Sequence, residues 1–89
     1  MREIVQSHKF KKDLKKIKNS GKYKIDDLLH VLNSLAKEGI LEPKYKDHSL
    51  SNNWDGFREC HIKPDWLLIY EIDEECLKLI RTGSHSDLF

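Results

Sequence analysis

The sequence predicts an α+β fold ordered strand, helix, helix, strand, strand, strand, with the two helices packed on one face of a curved antiparallel sheet. Three observations predict it. Apolar residues recur at helical spacing through the first half of the chain. After Pro43 that spacing gives way to short apolar runs rich in aromatic and branched residues. Two tight polar turns, Lys63-Pro-Asp65 and Asp73-Glu-Glu75, separate those runs.

Residues 2–6 contain Ile4 and Val5 and read as a short first strand. Ser7 is placed to cap a helix, because its hydroxyl can accept from a free N–H of the first turn. Phe10, Leu14 and Ile17 then form a narrow apolar stripe among lysines, ending at Asn19-Ser-Gly21. A second helix starts around Tyr23–Asp26, with Ile25, Leu28, Leu29, Leu32, Leu35 and Ala36 on one side. Asp26 and Asp27 suit its positive N-terminus, and Gly39 suits its end. The short link between them makes an antiparallel helical hairpin that needs a sheet to cover. Residues 40–53 read as a long irregular connection. Strands follow at 54–62, 66–72 and 76–82, joined as a meander. Residues 66–72 are apolar on both faces, which suits a central strand. The other face of the sheet is left partly open.

A chain of 89 residues predicts one domain, 1–89. A domain of this size buries roughly 60–65% of its unfolded surface, so its core is small. Charged residues make up 35% of the chain and no apolar run approaches the roughly 20 residues of a membrane span. The first residues show no signal-peptide character, so a cytoplasmic location without membrane contact is expected. Cys60 and Cys76 lie in apolar strand-like runs and are expected as buried free thiols. With no C-x-x-C or H-x-x-x-H spacing, neither a metal site nor another cofactor is expected.

The net charge of +1 conceals an uneven distribution. Residues 1–24 hold nine Lys or Arg against Glu3 and Asp13, while residues 25–89 hold seven basic and thirteen acidic residues. Lys9, Lys11, Lys12, Lys15, Lys16 and Lys18 all fall in the first helix. Such a block is either a footprint for a polyanion or a solvated helix face.

The second half bears the residue types of proton transfer. His48, His61 and His85 come from three different elements, and an imidazole is a natural acid or base near neutrality. Two of them flanking a phosphodiester could take a proton from a 2′-hydroxyl and return one to the departing 5′-oxygen. Arg81 could neutralise the phosphorane, and Asp65 could accept a proton or orient a histidine. Trp66 and Phe89 offer faces on which a base could stack. Each has a plain structural alternative: a hydrogen-bonded strand-end histidine, an Asx turn at Asp65, an ion pair of Arg81 with Glu59 or Glu71, a tryptophan in the core. His8 and His30 are read as structural, with His30 away from the other histidines. The functional reading requires three imidazoles and a guanidinium to gather around one hollow.

The pattern Tyr45-Lys-Asp-His48, Trp54-x-Gly56-x-Arg58, His61-x-x-Pro64-Asp65-Trp66, Arg81-Thr-Gly-Ser-His85 and Leu88-Phe89 resembles the YafQ branch of the RelE/ParE toxin superfamily. The match spans residues 45–89; the first half agrees in layout alone. The resemblance implies a RelE-like fold and a ribosome-dependent mRNA endonuclease, the toxin of a type II toxin–antitoxin pair. It implies catalytic roles for His48, His61, Asp65, Arg81 and His85, and substrate contacts for Trp66 and Phe89. Leu67 follows Trp66 where the RelE branch proper often has arginine, which favours acid–base chemistry by histidine and aspartate. The helix lysines would then meet ribosomal RNA. The implied partners are the ribosome, its message and a small acidic DNA-binding antitoxin, with the free toxin a monomer. Two rivals follow from the same residues: a ParE-like inhibitor of DNA gyrase, which needs no acid–base histidines, and an RNA-binding module that does not cut.

Overall fold

The computed structural model describes residues 1–89. Its elements are β1 (Glu3–Gln6), α1 (His8–Ser20), α2 (Ile25–Glu38), β2 (His48–Ser49), β3 (Arg58–Lys63), β4 (Trp66–Ile72), β5 (Cys76–Gly83) and α3 (His85–Leu88). They build the α+β arrangement that the sequence predicts, as one five-stranded sheet ordered β1-β5-β4-β3-β2. The sheet is mixed rather than wholly antiparallel, because β1 pairs parallel with β5 through Ile4 and Leu77. The predicted meander of β3, β4 and β5 is antiparallel throughout.

α1 begins where expected. Ser7 accepts from the Phe10 N–H at 3.0 Å and donates to the Ile80 carbonyl at 2.7 Å, so one hydroxyl caps the helix and ties it to β5. Gly21 and Gly39 close α1 and α2 in the left-handed conformation, at φ of 67° and 76°. α1 packs on β5, and α2 on β3 and β5. Phe10, Leu28, Val31, Leu35 and Ala36 are almost completely buried against Cys60, Leu68, Tyr70, Leu77 and Leu79. Each large side chain so buried contributes roughly 1.5–3 kcal/mol before the entropy of ordering it is counted.

Three expectations need correction. Residues 40–53 are more ordered than an irregular connection: they contain 3₁₀ turns at Pro43–Tyr45 and Asn52–Trp54 and the strand β2. β3 begins at Arg58 and not at residue 54, because Trp54 lies in the second of those turns and Gly56 turns the chain at φ 92°. The C-terminal residues form α3, capped by a reciprocal box in which Ser84 accepts from the Asp87 N–H and Asp87 accepts from the Ser84 N–H. α3 and the preceding loops cover part of the second sheet face, where Leu88, Leu50, Trp54 and Phe57 pack on Leu67 and Ile69. Cys60 is buried, whereas Cys76 is half-buried; both are free. No helix is long and apolar enough to cross a membrane.

Trp66 anchors the start of β4. Its indole N–H donates to the Thr82 hydroxyl at 2.8 Å, and that hydroxyl donates to the Leu67 carbonyl at 2.7 Å. The Tyr23 ring stacks on it at 4.9 Å. Trp66→Phe should therefore destabilise the fold by about 2–3 kcal/mol, combining lost volume with an unmet buried acceptor. Urea denaturation is the measurement; a loss below about 0.5 kcal/mol would show that this buried contact is not what anchors the strand.

Candidate functional site

Side chains directly opposite one another in a sheet share a face, and residues two apart along a strand return to it. One row of partners runs His48, Glu59, Ile69 and Arg81 across β2, β3, β4 and β5. The adjacent row runs His61, Leu67 and Gly83. His85 follows Gly83 by two residues and opens α3. With strands about 4.8 Å apart, His61 and the base of α3 stand roughly 10 Å from each other across the sheet.

Glu59 joins two of the histidines. It is 5% exposed, and one of its carboxylate oxygens lies 3.6 Å from Nε2 of His48 and 3.7 Å from Nε2 of His61. The Nδ1 atom of His48 is 2.8 Å from the Lys46 carbonyl. A carbonyl can only accept, so Nδ1 bears the hydrogen and Nε2 of the neutral ring presents a lone pair. The buried Glu59 carboxylate stands on the same side of the ring as that lone pair.

The loop that presents His48 is clamped by its neighbour. Asp47 accepts from Nε and Nη2 of Arg58 at 3.3 and 3.1 Å, and also from the Tyr70 hydroxyl. One carboxylate thus ties the loop to β3 and β4. Burial first, and then Asp47, push the Tyr70 phenol far above its ordinary value, so it remains a donor. Arg58 is in turn held further in its charged form, chiefly by its bonds to Asp47.

Arg81 and Asp65 border a different hollow from His61. Arg81 pairs with Asp13 of α1, Nε to Oδ2 at 2.7 Å and Nη2 to Oδ1 at 3.1 Å, and not with Glu59 or Glu71. Those bonds, ahead of every other influence, raise the guanidinium further above its usual range. Asp13 also accepts from the Thr82 N–H at 3.2 Å, which covers part of the β5 edge beyond β1. Asp65 is exposed, with its carboxylate 3.7 Å from Lys22. Arg81 and Asp65 share a hollow of about 440 Å³ with Asp13, Lys16 and Asp87. His61 instead opens on a separate hollow of about 480 Å³. The histidines and Arg81 therefore share a sheet region but do not line a single cavity.

Of the two expected substrate contacts, one changes. Trp66 is completely buried and cannot serve as a face for a base. Phe89 is 51% exposed and continues an aromatic series, 6.0 Å from Trp54 and 5.1 Å from the His85 ring. His30, set apart in the sequence reading, lines the same hollow as His61. The six lysines of α1 are all exposed. No three carboxylate, imidazole or thiol groups lie close enough together to hold a metal ion.

Sequence reasoning missed Asp13, Asp47, Arg58, Glu59 and Tyr70. Glu59 could have been found: it is an acid in an apolar strand, two residues from His61 and hence on its face. Asp47 stands inside the Tyr45–His48 motif. Nothing local pairs Asp13 with Arg81, since 68 positions separate them.

Tyr70→Phe preserves the ring and removes one bond from Asp47. It should cost about 2 kcal/mol in urea denaturation, and the His48 ring should lose its single sharp NMR environment. Unchanged stability with an unchanged His48 signal would show that the clamp does not hold the loop. α3 should depend on pH through Asp87. The Ser84 backbone N–H, followed by the Ser84 hydroxyl, holds this carboxyl below the usual range. The folded value lies below the unfolded one of about 3.9, so the stabilisation is present above that pH and fades as pH falls through the folded value. Amide exchange in α3 should accelerate below about pH 4 while β4 stays protected, and Asp87→Asn should remove the dependence. Flat α3 protection down to the pH of global unfolding would refute the capping role.

Residues 2–89 match the YafQ family, described as bacterial toxins of type II toxin–antitoxin systems. It is 38% identical to the mRNA interferase toxin YafQ of Escherichia coli BL21-DE3, over 99% of this chain and 96% of that protein. The crystal structure of YafQ from that strain superposes with a TM-score of 0.92 at 36% identity, covering 100% of this chain and 99% of the other. YafQ in the E. coli DinJ–YafQ toxin–antitoxin complex superposes at 0.89, with 36% identity and 99% and 97% of the two chains covered. A metal-bound toxin from Helicobacter pylori is 49% identical over 100% of both chains, with a TM-score of 0.87. Fold, length and sequence agree across these relatives, and the chain belongs to the YafQ toxin family.

Proposed function

We propose that this protein is an mRNA endoribonuclease, the toxin of a type II toxin–antitoxin pair, which cuts the message in the ribosomal A site in the cytoplasm. The observation that supports it is the placement of His48 and His61 on one buried carboxylate, in sheet rows that lead to Arg81 and His85. His48, beside His61 on the shared Glu59, takes the proton of a ribose 2′-hydroxyl at Nε2; Asp65, in the hollow it shares with Arg81, is the alternative base. The 2′-oxygen attacks the adjacent phosphorus. His85 protonates the departing 5′-oxygen, leaving a 2′,3′-cyclic phosphate and a free 5′-hydroxyl. Arg81, oriented by Asp13, neutralises the phosphorane with its remaining N–H groups. Phe89 stacks on a base. The substrate supplies its own nucleophile, so the scheme calls for no metal. The α1 lysines meet ribosomal RNA, an attraction that weakens with salt. A cognate antitoxin, small and acidic, neutralises the toxin, as DinJ accompanies YafQ in the E. coli complex.

Primer extension on a message translated in a cell-free system tests this. His85→Ala should slow cleavage by about 10²–10⁴-fold, the usual loss of a general acid. A 2′-deoxy sugar at the scissile position should block cutting, while EDTA, followed by restoration of only the magnesium that ribosomes need, should not. Cleavage by His85→Ala at the parent rate would overturn the assignment. Gyrase inhibition without any cut message would favour the ParE-like rival.

A further inference from the structure

β2 is only two residues long and covers β3 at Arg58 and Glu59 alone. Beyond that point a groove of about 480 Å³ borders β3, walled by α2 and the 3₁₀ turn Pro43–Tyr45. His61 stands in its lining with His30, Lys44, Tyr45, Lys46 and Lys63. Its volume lies within the 300–1,000 Å³ typical of small-ligand sites, enough for a nucleotide unit.

We infer that this groove is a nucleotide subsite for the message strand next to the cleaved linkage, an inference that rests on the nuclease reading. Charge supports it. Asp27, the one acid in the lining, already faces Lys63 at 3.5 Å. Lys44 and Lys46 have no carboxylate partner, so two ammonium groups remain for phosphate. The rings support it too. Tyr45 and His30 stand 6.4 Å apart at a tilt of 41°, leaving His30 exposed as a surface for a base. His61 then links the groove to the reaction, since it lines the groove and lies against Glu59, the carboxylate shared with His48. A strand entering here would pass its next phosphodiester along the sheet toward Arg81.

The full chain is titrated with a short single-stranded RNA bearing 2′-O-methyl sugars, which cannot be cut, and followed by NMR and by fluorescence anisotropy at several salt concentrations. Signals of His30, Lys44, Tyr45 and Lys46 should shift on binding. Lys44→Ala/Lys46→Ala should weaken binding and flatten the slope of log affinity against log salt by about 1.4, two contacts at about 0.7 each for a single strand. Lys11→Ala/Lys12→Ala, on α1, should leave the groove shifts in place. No binding, shifts confined to α1, or an unchanged slope in the groove variant would overturn the inference. The nuclease reading is tested separately by primer extension with the parent protein. Cleavage without groove binding refutes the subsite alone; groove binding without cleavage refutes the nuclease reading and, with it, the placement of the groove beside a cleaved linkage.

Discussion

Both faces of β4 have to be covered, and the rest of the molecule follows from that demand. Trp66 through Tyr70 are all 1% exposed or less, so this strand meets side chains above and below. α1 and α2 supply one cover. The other comes from α3 and the turns before β3, because a chain this short has no further helix to offer. Leu88 packing on Leu67 and Ile69 is what brings the C-terminus back across the sheet. That return sets His85 and Phe89 near the row that bears His61. The same apolar contact thus completes the core and positions both C-terminal side chains.

Carboxylates act as joints in this construction. Asp13 fastens α1 to the end of β5 through Arg81 and the Thr82 N–H. Asp47 fastens the loop before β2 to β3 and β4 through Arg58 and Tyr70. Glu59 lies between two imidazoles. Partly buried charges of this kind contribute little net stability unless they are fully partnered, but their hydrogen bonds are directional. They fix angles that apolar packing leaves loose. Arg81, only partly buried, takes its orientation from Asp13 in this way.

The apolar framework was legible because it is local. Phe10, Leu14 and Ile17 at helical spacing, and the unbroken run from Trp66 to Ile72, state their period within a few residues. Ser7, Gly21 and Gly39 mark the helix ends by backbone chemistry that neighbours cannot change. The short elements were not legible. β2 exists because two residues find β3, and α3 exists because Ser84 and Asp87 cap each other while Leu88 packs on Leu67. Neither has a run long enough to show a period. Of the site, the motif residues could be named and their common region anticipated. Their division between two hollows could not, and neither could the burial of Trp66, which depends on Tyr23 stacking from another element.

The amino-acid sequence by itself determined the fold class, the order of the main elements, the basic helix, the family resemblance and the histidines of the second half. Those rest on spacing and residue chemistry, which act between neighbours. Only the tertiary structure decided that β1 runs parallel beside β5, that Arg81 faces Asp13, that Tyr70 reaches Asp47, and that Glu59 lies between His48 and His61. Each of those choices joins elements distant in sequence or compares competing partners of like charge. Coulomb attraction and hydrogen bonding select by distance and angle, and neither exists until the sheet has closed.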